Sequence, residues 1–319
     1  MLIANGDCRN DGGETGEITA SVTTFQTPVS EMSQLLECFQ ATEPRVVLVV
    51  VDNSPTDQLR SLVENSGVAE YRWLGRNIGF GAAHNIAMKQ LLHRGRYHLV
   101  VNPDIRFGPN VVAELTQLMD LHPEVGQAMP RIEFSDGSEQ RLCKLLPTPF
   151  DLLLRRFVAS NLFQEQRDRY ELRDIDMGVA RQVPNLSGCF MFLRSSVVRR
   201  TGGFDERYFM YMEDVDLCRR ISQVAQTAFF PQVSVVHGYA KGSYRDPKLL
   251  VYHLKSSFQY FCKWGWVLDQ ERKRLNQKAR TEASVITDTA RMSETFCKAE
   301  ASHMHGEDRG TSTSAGGVE

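Results

Sequence analysis

Asp205, Glu206, Glu213, Asp214 and Asp216 crowd into one short run, GGFDERYFMYMEDVDLCRR, spanning 202–220. They are interleaved with Phe204, Tyr208, Phe209 and Tyr211, residue types that ordinarily fill a core. Carboxylates in such company are costly to desolvate unless a metal, a hydrogen bond or a reacting proton uses them. Gly202-Gly203 allows a sharp backbone turn just ahead of the acids. Acids at the start of a helix also suit its dipole, so capping is the plain alternative for Glu213, Asp214 and Asp216. Three acids in four residues exceed what a cap needs. Asp214 and Asp216 point to different faces of a helix. One can therefore face a crevice as a general base while another pairs with Arg219 or Arg220.

Further candidates stand at strand ends. Asn102-Pro103-Asp104 follows an apolar run, and Asp104 is either a ligand for a hard cation or an acidic turn residue. Asp52 closes the run Val46 to Val51. It can accept from a nucleobase N–H or a ribose hydroxyl, or form an Asx turn with Ser54 or Thr56. Arg76-Asn77-Ile78-Gly79-Phe80-Gly81 turns into a helix whose N-terminus favours an anion such as a diphosphate. It is neither a Walker loop nor GxGxxG, and a plain helix start is the alternative. His237 is a metal ligand or a structural histidine. Lys241, Ser243 and Arg245, just beyond it, are placed to close over phosphates.

Elements must hold these groups. Strands are expected at 18–25, 46–51, 71–74, 97–101 and 189–193, with helices at 32–40, 59–65, 80–93 and 111–121. This alternation indicates βαβ units and a mostly parallel sheet flanked by helices. Ligands of such sheets bind beyond the carboxyl ends of strands, where Asp52 and Asp104 lie. Two short strands broken by Pro231 are expected over 227–236, then a helix over 249–264. LLPTPFDLLLRRF (145–157) is amphipathic and basic. Trp264, Trp266, Val267 and Leu268, followed by Arg272, Lys273 and Arg274, suit either an anionic bilayer surface or a helix packed on the domain.

Composition narrows the class. A hydrophobic share of 42% with 24% charged residues suits a soluble globular chain. A net charge of −2 gives no drive toward nucleic acid. The 7 cysteines are odd in number and form no CxxC, which points to reduced thiols in the cytosol. Residues 1–16 lack an apolar signal region, and 46–51 is too short to span a bilayer, which takes about 20 residues. Both 1–16 and 276–319 read as disordered tails.

VVVDNSPTD, RNIGFGAAHN, VVNPDI, SGCFMFLRSSVVRRTGGFDERYFMYMEDVDLCRR and VSVVHGYAKGS occur in this order. Over residues 17–275 the chain resembles the family 2 glycosyltransferases, and among them bacterial rhamnosyltransferases of O-antigen, capsule or exopolysaccharide synthesis. The resemblance implies a GT-A fold: one Rossmann-like α/β domain with a helical C-terminal extension. Residues 17–130 form its nucleotide-sugar half and 131–275 its acceptor half. It implies Asp214 as general base, Asp104 and His237 as ligands of Mg²⁺ or Mn²⁺, and Phe209, Tyr211 and Glu213 as acceptor contacts. Thr24, Asp52, Arg76, Asn77, Gly79, Asn102, Asp104 and Lys241 would bind the donor, commonly dTDP-L-rhamnose. The first acid of the family's DxD motif is here Asn102, which leaves Asp104 as its one charged ligand. The acceptor would be a lipid-linked or free oligosaccharide, met in the cytoplasm or at the cytoplasmic face of the inner membrane. A sugar-1-phosphate nucleotidyltransferase is the alternative enzyme class. It needs a glycine-rich basic loop after the first strand, which 21–26 lacks. A non-catalytic sugar-binding protein on the same fold is the other alternative.

Overall fold

The computed structural model describes residues 17–152, 163–238 and 247–286. The N-terminal tail, residues 153–157, Lys241, Ser243 and Arg245 lie outside them. Among the described residues nine strands form one sheet: β1 (Glu17–Thr24), β2 (Val46–Asp52), β3 (Ala69–Trp73), β4 (Gly95–Val101), β5 (Ile105–Arg106), β6 (Val125–Glu133), β7 (Arg181–Gln182), β8 (Phe190–Arg194) and β9 (Gln226–His237). Their order is β3-β2-β1-β4-β8-β6-β9-β5, with β7 on β9. The helices are α1 (Val29–Ala41), α2 (Arg60–Asn65), α3 (Phe80–Leu91), α4 (Val111–Leu121), α5 (Gln164–Tyr170), α6 (Ser195–Thr201), α7 (Glu213–Ile221), α8 (Pro247–Trp264) and α9 (Gln270–Ala279).

The unbroken apolar run of β2 is explained by its burial on both faces. Leu48 and Val50 join α1 residues Leu35 and Leu36 in one layer. Val49 and Val51, on the opposite face, meet Ala83, Ala87 and Leu91 of α3. Burying each such valine or leucine side chain contributes about 1.5–3 kcal/mol.

The pairing is parallel through β3-β2-β1-β4, as the βαβ pattern requires. Beyond β4 the sheet is mixed, because β8 runs antiparallel to both β4 and β6. That reversal sets the start of β8 beside the end of β4. The interruption expected at Pro231 is a register shift within one strand: Pro130 pairs with Phe230 and Arg131 with Ser234. Proline cannot donate to the ladder, so it sits in the bulge. The folded part also runs past the expected boundary at 275. Leu275 and Ala279 bury on one face of α9, and Ile286 enters the core, its N–H donating to the Ala180 carbonyl at 2.9 Å. Few but correctly spaced apolar residues suffice there, because the edge strand β7 receives the chain.

One polar network lies wholly inside. Ser21 Oγ is 2.8 Å from His84 Nδ1 and 2.9 Å from His98 Nε2, while Thr19 Oγ1 is 2.8 Å from His98 Nδ1. Burial is the main cause that lowers both imidazoles from 6.5 to about 3. The unfolded chain then binds more protons than the folded one below pH 6.5, so stability falls as pH drops from there toward 3. The slope is about 1.4 kcal/mol per pH unit for each ring. Urea titrations at pH 7.5 and 5.5 will show the lower stability at pH 5.5, and His98→Asn will flatten the difference. Equal stabilities at the two pH values would contradict the neutral-histidine account.

Candidate active site

The end of β4 carries the first half of the site. The Asn102 N–H donates to the Cys189 carbonyl at 2.9 Å, tying this turn to the start of β8. β9 delivers His237 opposite Ile105, and the Gly238 N–H donates to the Asp104 carbonyl at 2.8 Å. His237 Nε2 thereby lies 3.2 Å from Asp104 Oδ2. Gln140 fixes the ring from behind. Its Nε2 donates to the His237 carbonyl at 2.9 Å, which turns its Oε1 toward His237 Nδ1, also at 2.9 Å. An oxygen there selects Nδ1–H as the donor, so Nε2 presents its lone pair toward a carboxylate oxygen. Two acceptors this close call for a positive charge between them. A second proton on the ring meets that demand, and so does a divalent cation. Among the described residues no three His, Cys, Asp or Glu side chains converge as a metal cluster. A cation here would fill its other positions from a ligand and water.

The second half is the loop from 202 to 212 and the first turn of α7. Tyr211 and Met212 both have φ of +68°, an uncommon state for residues with side chains. Surrounding contacts hold it. Ser256 Oγ of α8 donates to the Met210 carbonyl at 2.7 Å, and the Phe80 N–H to the Phe209 carbonyl at 3.1 Å. Phe209 packs on Tyr252 and Tyr211 on His253. Gly79, at φ +96°, leaves no room for a Cβ against the Phe209 carbonyl, so a glycine is required there for packing.

Asp214 is half-buried, with Oδ2 accepting from the Gly188 N–H at 2.9 Å and Oδ1 from the Val215 N–H at 2.8 Å. Burial raises its pKa, opposed by those two N–H groups and by Lys144. Glu213 is buried, and its carboxyl is pushed well above the usual range by desolvation and then by the Asp214 charge. The remaining acids are structural. Asp216 accepts from Arg220 Nε at 2.7 Å and from Trp264 Nε1 at 2.8 Å. Asp205 pairs with Arg207 and Lys263, and Glu206 accepts from Asn85 at 3.0 Å. Arg219, fully buried under the Trp264 ring, forks onto Asp269 at 2.7 and 2.5 Å and locks α7 to the start of α9.

These two halves face one cavity of about 960 Å³, lined by Asn102, Asp104, Gln140, Lys144, Gly188, Tyr211, Glu213, Asp214 and His237 among others. Phe209, expected as an acceptor contact, is not among the lining residues and packs on Tyr252 instead. Several expected donor contacts stand elsewhere. Thr24 is buried at the end of β1. Asp52 is fully buried in the Asx turn, accepting from the Ser54 N–H at 2.8 Å and from the Tyr71 hydroxyl at 2.6 Å. Asn77 Oδ1 accepts from the Gly79 N–H at 2.9 Å, and Arg76 is exposed. Gln140, Lys144 and Gly188 were not singled out in the sequence. Their parts depend on partners 97, 70 and 26 residues away along the chain, which no local spacing announces.

No protein-family model matches the chain. An N-acetylglucosaminyl-diphospho-decaprenol L-rhamnosyltransferase of Mycobacterium tuberculosis is 30% identical over 238 residues, 70% of this chain and 76% of that protein. The chain belongs to the rhamnosyltransferase family of glycosyltransferases. Rhamnosyltransferase WbbL of Escherichia coli is 26% identical over 249 residues, 73% of this chain and 88% of WbbL. Among solved structures, a mannosyltransferase from Pyrobaculum calidifontis in complex with GDP-Man and Mn²⁺ superposes with a TM-score of 0.52, at 16% identity, over 91% of this chain and 82% of that one. GalNAc-T7 with UDP, GalNAc and Mn²⁺ gives 0.57 at 14% identity, over 92% of this chain and 58% of that one. The GT-A fold expected from the motifs is therefore the fold of this glycosyltransferase, and the nucleotidyltransferase and non-catalytic alternatives fall away.

Gly188 offers a direct probe. A Cβ there would stand 3.2 Å from Asp214 Cβ and 3.4 Å from its Oδ2, enough to displace the carboxylate by tenths of an ångström. In Gly188→Ala we expect kcat to drop about tenfold or more. Stability in urea should change by no more than about 1 kcal/mol. Steady-state kinetics beside a urea titration measures both.

Proposed function

We propose that this glycosyltransferase is inverting and uses a divalent cation. Its donor is dTDP-L-rhamnose and its acceptor a lipid-linked saccharide of bacterial surface polysaccharide synthesis. The observation that carries the reading is a carboxylate held by two backbone N–H groups, opening on the same cavity as the Asp104–His237 pair. The names of the relatives support the sugar, and that of the tuberculosis relative supports a saccharide on a lipid diphosphate.

The chemistry is one displacement at the anomeric carbon. The acceptor oxygen forms its bond to that carbon as the bond to the donor diphosphate breaks. Asp214 takes the hydroxyl proton, a task that a pKa raised by burial suits. Glu213 beside it is pushed toward its neutral form by burial, which disfavours a second negative charge next to Asp214. Tyr211 supplies the acceptor's wall, and Phe209 holds the same loop by packing on Tyr252 of α8. On the opposite side Asp104 and His237 would hold Mg²⁺ or Mn²⁺, with Asn102 beside them. When bound, that ion neutralises charge on the departing diphosphate. Asp52, Asn77 and Gly79 serve the donor by shaping the strand-end loops, while Thr24, Arg76 and Lys241 remain proposed donor contacts.

Asp104→Ala and His237→Ala each test the metal side. Calorimetric titration with dTDP-L-rhamnose in Mn²⁺ will show affinity reduced roughly tenfold or more, the loss typical of a removed ligand or its support. In EDTA each variant will match the parent protein. Unchanged affinity in Mn²⁺ would remove these residues from the metal site.

A further inference from the structure

The helix α8 has two working faces. Ser256, Ser257, Tyr260 and Phe261 are buried, and the Ser256 hydroxyl holds the catalytic loop at the Met210 carbonyl. The other face is apolar and bare: Val251 is 61% exposed, Leu254 38% and Phe258 60%. Their spacing of three and four residues puts them in one stripe. Where α8 turns into α9, Trp266, Val267 and Leu268 are 41%, 73% and 85% exposed. The Phe258 and Trp266 rings meet edge to face at 5.6 Å, so stripe and turn form one continuous patch. Single exposed apolar residues are ordinary, but a contiguous aromatic and aliphatic patch marks a contact surface.

Charge identifies what it contacts. From Pro247 to Leu268 the sequence contains no acid, while Lys248 and Lys255 are present; Lys263 is turned to Asp205 and Asp216. Lys255 is exposed beside the stripe, and Lys273 and Arg274 are exposed on α9 just past the turn. Apolar side chains rimmed by cations fit an anionic lipid surface, with the chains in the headgroup boundary and the cations at the phosphates. Among the described residues no helix is long and apolar enough to cross a membrane, so this contact is peripheral. Trp264, a candidate for such a contact by sequence, is turned inward to Asp216 and Arg219.

We propose that Val251, Leu254, Phe258, Trp266, Val267 and Leu268 form a docking surface for an anionic bilayer. The purpose of the contact rests on the lipid-linked acceptor proposed above. The helix that would rest on the membrane also buttresses the loop carrying Tyr211 and leading to Asp214, so docking would set the acceptor side of the cavity at a fixed height above the lipid.

The test is co-sedimentation of the full chain with vesicles of phosphatidylglycerol and phosphatidylcholine, without donor or acceptor, so it is read independently of the acceptor assignment. Binding should grow with the phosphatidylglycerol fraction and weaken with salt. Phe258→Glu combined with Leu268→Glu should lower vesicle affinity roughly tenfold or more. Leu121→Glu, at an exposed apolar residue of α4, should leave it unchanged, and thermal unfolding should confirm that all three proteins fold. Transfer to an acceptor on a short water-soluble chain should be the same in the double variant and its parent. Absence of vesicle binding by the parent chain, or equal binding by the double variant, would overturn the proposal. So would a concentration-dependent dimer that the same substitutions dissociate, since the patch would then be covered by a second copy.

Discussion

Two backbone N–H groups from different elements converge on the carboxylate of Asp214, and the arrangement of the site follows from that convergence. One N–H belongs to Val215, in the first turn of α7. The other belongs to Gly188, at the approach to β8. The second exists only because β8 runs antiparallel into a sheet that is otherwise parallel up to β4. A parallel strand at that place would start at the far edge of the sheet. The reversal puts Gly188 and Cys189 next to Asn102, and so brings α7 opposite the turn that carries Asp104. A Cβ on Gly188 would crowd Asp214, 3.2 Å from its Cβ, so the glycine lets the carboxylate sit this close to the backbone.

Holding α7 in place takes more than its own propensity, because an isolated helix this short is marginal in water. Arg219 and Asp269 tie it to α9, Asp216 ties it to Trp264 of α8, and Arg220 Nη1 donates to the Thr201 carbonyl of α6 at 2.7 Å. Buried pairs of this kind add little net stability over apolar packing, but losing one partner leaves a charge stranded. Their effect is therefore geometric: the helix is fixed against its neighbours, and the left-handed residues Tyr211 and Met212 persist under that constraint. Of the five carboxylates in the run, Asp214 borders the cavity as an acid with backbone donors, Glu213 is pushed toward its neutral form by burial, and Asp205, Glu206 and Asp216 are used up in holding the frame.

Much of this was legible beforehand. The apolar run of β2, the limits of α4, and the strand, short helix, loop and helix leading to Glu213 all follow from hydrophobic pattern and turn residues. The strand-end positions of Asp104 and His237 follow from the rule for α/β sheets. The antiparallel insertion of β8 was not legible, because pairing direction leaves no mark in a five-residue apolar strand. The inward turn of Trp264 was not legible either, since an indole beside lysines reads alike whether it meets lipid or a buried Asp216. Asp52 carried two readings, and its fully buried Asx turn with a tyrosine hydroxyl favours the local one. The order in 276–286 was missed because its burial falls on a few spaced residues in a polar stretch.

The central claim is that Asp214 takes the acceptor proton while the donor is held on the opposite wall of the cavity. Its most direct test is Asp214→Asn, which keeps the side chain's shape and removes its basicity. Single-turnover transfer should fall by about a hundredfold or more, with dTDP-L-rhamnose affinity by calorimetry within a factor of about two of the parent protein. Transfer at the parental rate would contradict the account.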